Sequence, residues 1–253
     1  MKIFGRSTLL VLGLLIHPSV HAQQWQDNSV TWLYGDGFKV QPERQVTLTA
    51  EHVSDWIWGD LFAFADYTLF QGETDDFVGN STWYAEISPR VSISWLSGKA
   101  FSFGPVQDVF LAGTAETGEG DVESWLLGPA LSFDLPGFDY FQLNFYRRWP
   151  NGREYGESWQ LTPVWSITIP VAGSDFVFDG FIDWVIKTDG DYRSNFHFNP
   201  QFKYDLGKRF GWRSKQLMVG AEYSFWSNRF GIKDSPQFGT NQHAVSLLVK
   251  SHL

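Results

Sequence analysis

The chain of 253 residues contains no cysteine. Disulfides, thiolate nucleophiles and cysteine-ligated metals are therefore excluded, as is lipid attachment at a leader cysteine. An exported protein of this size without disulfides suits a bacterial envelope better than a eukaryotic secretory route. Basic residues are scarce as well: 19 Lys and Arg stand against 28 Asp and Glu, a net charge of −9. That balance argues against nucleic-acid partners and against a pore for anionic sugars or phosphates. Mean hydropathy is −0.21, too polar for a bundle of membrane helices. No metal cluster, phosphate loop or dinucleotide fingerprint is present; the glycines between Gly113 and Gly120 lack a strand-glycine-helix context. No cofactor and no metal is expected.

The first 22 residues carry an export pattern. Lys2 and Arg6 are followed by the apolar run Leu9 to Ile16 and by Val20-His21-Ala22 before Gln23. A membrane-anchoring helix needs about 20 apolar residues, and this core is much shorter. The expected division is a signal peptide over 1–22 and one domain over 23–253. Removal of Lys2 and Arg6 takes the net charge from −9 to −11.

What remains is dominated by alternation. In Phe176 to Lys187, one parity carries Phe176, Phe178, Ile182, Trp184 and Ile186; the other carries Asp179, Asp183 and Lys187. A period of two means a strand with one apolar and one polar face. Twelve such stretches are expected, near 29–38, 45–53, 57–70, 82–96, 101–115, 122–134, 140–149, 158–170, 176–188, 196–206, 216–231 and 242–253. The connections at Ser54-Asp55-Trp56, 97–100, 135–139 and 171–175 are tight turns rich in Gly, Pro, Asp and Ser. Several of those between them, such as 71–81 and 232–241, are longer and polar. Short turns at one rim and long loops at the other describe a transmembrane β-barrel, all-β and antiparallel, with the short turns periplasmic. Only Gly207 to Lys215, long and basic, breaks this rule.

Aromatics make up 18% of residues, including 13 Trp and 23 Phe. Soluble domains rarely carry so many, whereas barrels place aromatic girdles at both membrane interfaces. A soluble sandwich or lipocalin-like barrel would use the same alternation with its apolar face inward. Strand number, and Trp residues near strand ends, favour the membrane form. Charges on a lipid face cost ~2–4 kcal/mol at mid-bilayer, so the polar parity must face the lumen. Trp83, Ala85, Ile87, Pro89, Val91, Ile93 and Trp95 then point outward. Pro89, Pro163 and Pro200 interrupt strands, where each removes a ladder donor. Arg147 falls on the outward parity near a strand end, where its head can snorkel.

The run Tyr84 to Ile93, with Phe101-Ser102-Phe103-Gly104-Pro105 leading into Val109 to Ala112, resembles the nucleoside-specific outer-membrane channel family (Tsx and OmpK). The Asp55-Trp56 turn and the strand Gly59 to Asp66 share the resemblance, which is clearest over 45–115. It implies a monomeric twelve-stranded barrel with a narrow lumen that passes nucleosides and deoxynucleosides. It also implies a place in the outer membrane, in contact with its lipid. Some relatives are phage receptors. Barrels of this kind usually end in an aromatic residue read by the barrel-assembly machinery. This chain ends Val249-Lys-Ser-His-Leu253, although Val245, Leu247, Val249 and Leu253 keep the outward parity.

A nucleoside is an uncharged aromatic base on a polyhydroxyl sugar, so its pore needs π-faces and hydrogen-bond acceptors. Lumen-parity aromatics are Phe62, Phe64, Phe70, Tyr84, Phe110, Tyr146, Phe181 and Trp226. The candidate binding residues are Phe62, Phe64 and Asp66 on one strand face, Tyr84, Glu86 and Arg90 on the next, then Asp179, Phe181 and Asp183, and Trp226. Packing of the interior by Phe62 and Phe64 is the alternative reading. Glu86 and Arg90 are four residues apart, roughly 13 Å, so each is expected to pair across strands. Arg148, Lys203, Asp179, Asp183 and Glu222 are the candidate partners, in ladders that support the wall.

Rival functions are a general small-solute porin, a phage or adhesion receptor, and an outer-membrane lipid hydrolase. The hydrolase would need a His and a Ser two apart on an outward face, and His52-Val53-Ser54 is one such pair. It borders a turn, lacks the Asn-Gly that follows the nucleophile in those enzymes, and shows no third orienting group in the sequence. Asn151-Gly152 lies far away. An enzyme is not expected.

Overall fold

A strand that crosses a membrane cannot leave backbone groups unpaired, because hydrocarbon offers no partner for them. Closure of the sheet meets this demand, and the chain closes. The structure is a computed structural model and describes residues 23–72, 79–120, 122–150, 158–187 and 192–253. Its strands are β1 (Gln23–Asp36), β2 (Arg44–Trp56), β3 (Gly59–Gln71), β4 (Ser81–Ser92), β5 (Val106–Gly118) and β6 (Val122–Phe133). They continue with β7 (Tyr140–Pro150), β8 (Ser158–Val171), β9 (Ser174–Lys187), β10 (Asn195–Asp205), β11 (Leu217–Ser227) and β12 (Gln242–His252). Each pairs antiparallel with its chain neighbours, and β12 pairs with β1 to complete the ring. The expected export segment 1–22 lies outside the described residues, as do Asn151-Gly152 and most of loop 71–81.

The faces divide as the alternation demands. Trp32, Leu48, Trp83, Leu127, Trp184 and Leu247 are exposed on the outer wall. Thr31, Gln45, Arg90, Glu116, Gln160 and Lys203 are buried on the inner one. A soluble barrel would show the reverse. Part of the interior is packed: Phe110, Ala112, Leu126, Ala130 and Tyr146 form an apolar cluster on β5, β6 and β7. Phe110 and Tyr146 therefore belong to this packing and not to an open aromatic surface.

Four boundaries differ from the sequence reading by four residues or more, beginning with β1, which starts at Gln23 and not 29. The fourth strand stops at Ser92, not 96, and Ile93–Ser97 forms a short helix, α1. The Ser92 hydroxyl accepts the Trp95 N–H at 3.0 Å and caps it, and Gly98 ends it in the left-handed region at φ 66°. Ile93 and Trp95 thus leave the outward strand face, and β5 begins at Val106 instead of 101. The eleventh strand ends at Ser227, where Asn228 turns to φ 50° and a 3-10 turn, Arg229–Gly231, follows. At the other rim, a second short helix, α2 (Leu206–Arg209), opens the basic connection to β11.

The internal prolines leave a regular mark. Pro89, Pro129, Pro163 and Pro200 sit on β4, β6, β8 and β10, paired to the preceding strand with Leu61, Leu111, Leu143 and Gly180. Toward the following strand, the ladder skips two pairs at each proline: between Ile87 and Arg90, Leu127 and Ala130, Leu161 and Val164, and Phe198 and Gln201. Proline has no N–H to give there. Side chains bridge two of these openings on the lumen side, Ser88 to Thr114 at 2.9 Å and Thr162 to Asp183 at 2.6 Å. On the lipid side, Trp165, Gly180 and Pro200 are in register across β8, β9 and β10. A Cβ on Gly180 would lie 2.4 Å from the Asn199 carbonyl oxygen and 2.8 Å from Pro200 Cα, so the absent side chain lets β10 approach; the Trp165 ring stacks on Phe198 at 5.9 Å, and Pro200 is fully buried.

Candidate functional site

Among the described residues, the lumen wall carries four ion pairs of Arg or Lys with a carboxylate. Arg90 reaches Asp60 with two bonds, at 2.8 and 2.5 Å, and its guanidinium lies 4.6 Å over the Phe110 ring. Arg148 forks onto both oxygens of Glu116. Lys203 meets Asp179 at 2.6 Å and Lys250 meets Glu51 at 2.5 Å. Neither Glu86 nor Arg90 meets one of its five expected partners; of these, Asp179 and Lys203 pair with each other at 2.6 Å. Arg90 takes Asp60 and Arg148 takes Glu116, two carboxylates that the sequence reading does not single out and whose pairing depends on how the strands stagger. Arg90 and Asp179 each hold a cross-strand ion pair, while Arg90 Nη1 and Asp179 Oδ1 have no hydrogen-bond partner among the described residues.

Among the described residues, four further mid-strand carboxylates form no ion pair. Glu86, expected to find one, instead accepts the Tyr84 hydroxyl at 2.7 Å. Asp66 accepts Thr49 at 2.6 Å, and Glu222 accepts Gln201 at 2.8 Å. Asp183 accepts both Thr162 at 2.6 Å and Gln160 at 2.9 Å. Neutral donors hold these four groups, so acidic side chains outside any ion pair line the middle of the described wall. Glu86 and Asp183, on strands far apart around the ring, lie within Coulombic range of each other.

The aromatic residues form two tracks. On β3 and β4, Phe62, Phe64 and Tyr84 follow one another at 5.7 and 5.9 Å between centroids. The register sets Phe64 opposite Glu86 and Asp66 opposite Tyr84. On β9, β10 and β11, Phe181 meets the His197 ring edge-on at 5.1 Å, and His197 stacks on Trp226 at 4.0 Å. Phe230 in the 3-10 turn extends this track at 5.6 Å from Trp226. Five strands separate β3 from β9 in either direction, and likewise β4 from β10, so the tracks face each other across the lumen. His197 is not among the sequence candidates; its register opposite Trp226 brings it in.

At the extracellular mouth, Arg229 is buried between loops. It donates to the Lys39 carbonyl, to Gln41 at 2.8 Å and to Gln242 at 2.6 Å, and its charge lies 4.5 Å over Phe230. Residues 37–43 and 228–241 are thereby tied together over one side of the opening.

The outer wall holds a polar chain that the sequence did not reveal in full. Asn28 Oδ1 lies 2.9 Å from His52 Nδ1, and His52 Nε2 lies 3.0 Å from Ser54 Oγ. Asn28 is thus the third group missing from the sequence reading, contributed by the neighbouring strand. Ser54, however, is fully buried, and its oxygen also accepts the Trp56 indole N–H at 2.9 Å. No substrate carbonyl reaches a nucleophile covered in this way. The chain of bonds satisfies polar groups beside the lipid. Arg147, also outward, lays its guanidinium 5.0 Å over the Trp159 ring near the strand end.

A closed ring that is apolar outside and charged inside is an outer-membrane β-barrel of a Gram-negative bacterium, built as a channel. The sequence from residue 21 to 250 matches the family described as nucleoside-specific channel-forming protein, Tsx, and the chain belongs to that family. The family is one of channels and not of enzymes. Outer membrane protein OmpK of Vibrio parahaemolyticus is 26% identical over 200 residues, 76% of this chain and 73% of that one. The nucleoside-specific channel-forming protein Tsx of Escherichia coli O157:H7 is 26% identical over 146 residues, 53% of this chain and 50% of that one. Among solved structures the KdgM porin superposes with a TM-score of 0.51 at 10% identity, covering 88% of this chain and 98% of that one. That likeness is one of fold alone.

Proposed function

We propose that the lumen conducts nucleosides, with the base passed along the aromatic tracks and the ribose held by the carboxylates outside the ion pairs. The observation that carries this reading is the pairing of each track with an acceptor: Phe62, Phe64 and Tyr84 with Glu86 and Asp66, and Phe181, His197 and Trp226 with Asp183. Stacking on an aromatic face is worth ~1–3 kcal/mol per base and tolerates any base. Carboxylates accept from sugar hydroxyls more strongly than neutral oxygens do. An acidic wall admits an uncharged nucleoside and opposes a nucleotide, whose phosphate adds negative charge. Arg90 and Asp179 hold the wall in shape around these groups.

The same reading gives residues 1–22 the role of an export signal and 23–253 that of the inserted barrel, folded by the barrel-assembly machinery and working as a monomer. The closed ring, which needs no second copy to pair its edges, supports the last point. Phage attachment would fall to the extracellular loops and is separate from transport.

Single-channel recordings in planar bilayers, with and without adenosine or thymidine, test the proposal. A nucleoside-selective channel is blocked by its solute at low concentration. A general porin, the alternative reading, conducts ions unchanged.

A further inference from the structure

The connection between β10 and β11 is unlike the other turns at the periplasmic rim. Residues 206–216 hold Lys208, Arg209, Arg213 and Lys215 and no acid, in a chain whose net charge is −9. The remaining periplasmic connections together contribute one cation, Lys99. The segment is also built, not slack. Asp205 accepts the Lys208 N–H at 2.8 Å with one oxygen, and Ser214 Oγ at 2.9 Å and the Lys215 N–H at 2.6 Å with the other. The Trp212 N–H returns to the Gly207 carbonyl at 2.9 Å.

This framework presents two aromatic rings and two unpaired cations. Phe210 is 61% exposed and Trp212 52%, with their centroids 6.0 Å apart. Lys208 is taken by Asp175 at 2.7 Å, and Arg213 by the His252 and Leu253 oxygens at 3.3 and 3.0 Å. Arg209 and Lys215 form no ion pair with any described residue. Arg213 fastens the loop to the end of β12, whose Val245, Leu247 and Val249 belong to the lipid-facing band. The loop therefore lies where that band meets the periplasm, at the depth of lipid headgroups. Aromatic rings settle at this interface, and Lys and Arg beside them attract anionic headgroups.

We propose that residues 208–215 form a docking site for an anionic phospholipid of the inner leaflet. Arg209 and Lys215 meet its phosphate, and Phe210 and Trp212 sit at its glycerol-acyl boundary. Continuity with the lipid band and the local excess of positive charge select a lipid over a periplasmic protein as the occupant.

Native mass spectrometry of the full chain, released from micelles containing equal phosphatidylglycerol and phosphatidylethanolamine, tests this directly. The unmodified protein should retain phosphatidylglycerol preferentially, and R209Q/K215Q should lose about tenfold of that preference. Heat-modifiable gel mobility and ion conductance in the same variant should stay unchanged, which separates this site from the lumen. Excess soluble glycerol phosphate should fail to displace the lipid, because it lacks the acyl boundary that the rings occupy. Equal retention of the two lipids, or full preference in the double variant, overturns the proposal. So does displacement by glycerol phosphate alone, which would mean a simple phosphate site. Retention of neither lipid overturns it too and leaves the face to a protein partner.

Discussion

The His197 imidazole lies nearly flat on the Trp226 indole, 14° from parallel and 4.0 Å between centroids. The two residues are directly opposed in the β10–β11 register, so the backbone imposes the contact. Such a pair gives a rigid π-surface in a polar channel, with Asp183 opposite His197 on the next strand. Trp226→Ala should weaken nucleoside block of the open channel by about tenfold while leaving small-ion conductance and folding intact. Titration of single-channel block by thymidine is the measurement, and an unchanged curve would remove Trp226 from the site.

Removal of the opposite track has a separate signature. Phe62→Ala with Phe64→Ala deletes π-surface without adding charge, so nucleoside uptake should fall, again by about tenfold, in liposome-swelling assays. Uptake of a sugar of similar size should hold or rise. Equal loss for both solutes would mean that the rings pack the wall and nothing more.

Charge selectivity follows from the four carboxylates outside any ion pair. Fixed charges in a narrow, low-dielectric pore act strongly on permeating ions. Reversal potentials in a salt gradient should report cation preference in the unmodified channel. Asp183→Asn together with Asp66→Asn should reduce that preference and relax the exclusion of nucleotides. Anion preference at the outset would mean that Arg90, Arg148 and Lys203 govern the constriction despite their partners.

Arg148 and Glu116 probe the wall itself. Arg148→Met strands a buried carboxylate, and loss of one partner from such a pair costs about 3 kcal/mol or more. Urea unfolding in detergent, followed by tryptophan fluorescence, should show the loss. R148M/E116L removes both charges and should recover most of it.

These outcomes bear on how much the sequence could say. Alternation located all twelve strands, because lipid on one side and water on the other leave a period-two pattern no choice of face. Lumen parity picked out Glu86 and Arg90, but Asp60 and Glu116 were not singled out. The pairings were beyond reach, since they depend on the stagger between strands, and local alternation does not encode stagger. His197 was missed for the same reason: nothing in Asn195 to Asn199 says that Trp226 stands opposite. The end of β4 was hidden differently. Ile93 and Trp95 continue the alternation perfectly, while the competing signal is a single capping serine at Ser92. Asn28, 24 positions from His52, reaches it only through the β1–β2 register.

The extracellular loop offers a test by pH. Asp234 accepts the N–H groups of Thr240 at 2.6 Å and Asn241 at 3.0 Å, and these bonds hold its carboxyl below the usual value of 3.8. A depressed folded value means the contribution is complete above the unfolded pKa and is lost as pH falls through the folded one. Loop 228–241 should therefore keep its order at pH 5 and loosen only in stronger acid. Cleavage at Phe238 by pepsin, normalised to a denatured control at each pH, checks this. Asp234→Asn should make the same loop sensitive to chymotrypsin at neutral pH.

The proline openings divide the barrel's ladder unevenly. All four fall between β4 and β11, at the interfaces β4/β5, β6/β7, β8/β9 and β10/β11. The arc from β11 through β12, β1, β2 and β3 to β4 keeps its ladder unbroken through mid-strand. The hoop thus has one arc with a continuous ladder and one arc in which the ladder is interrupted at four places. Phe62, Phe64 and Tyr84 ride on the continuous arc, and Phe181 and Asp183 on the interrupted one. The two aromatic tracks thus stand on unlike walls, one with a continuous ladder and the other interrupted at four places.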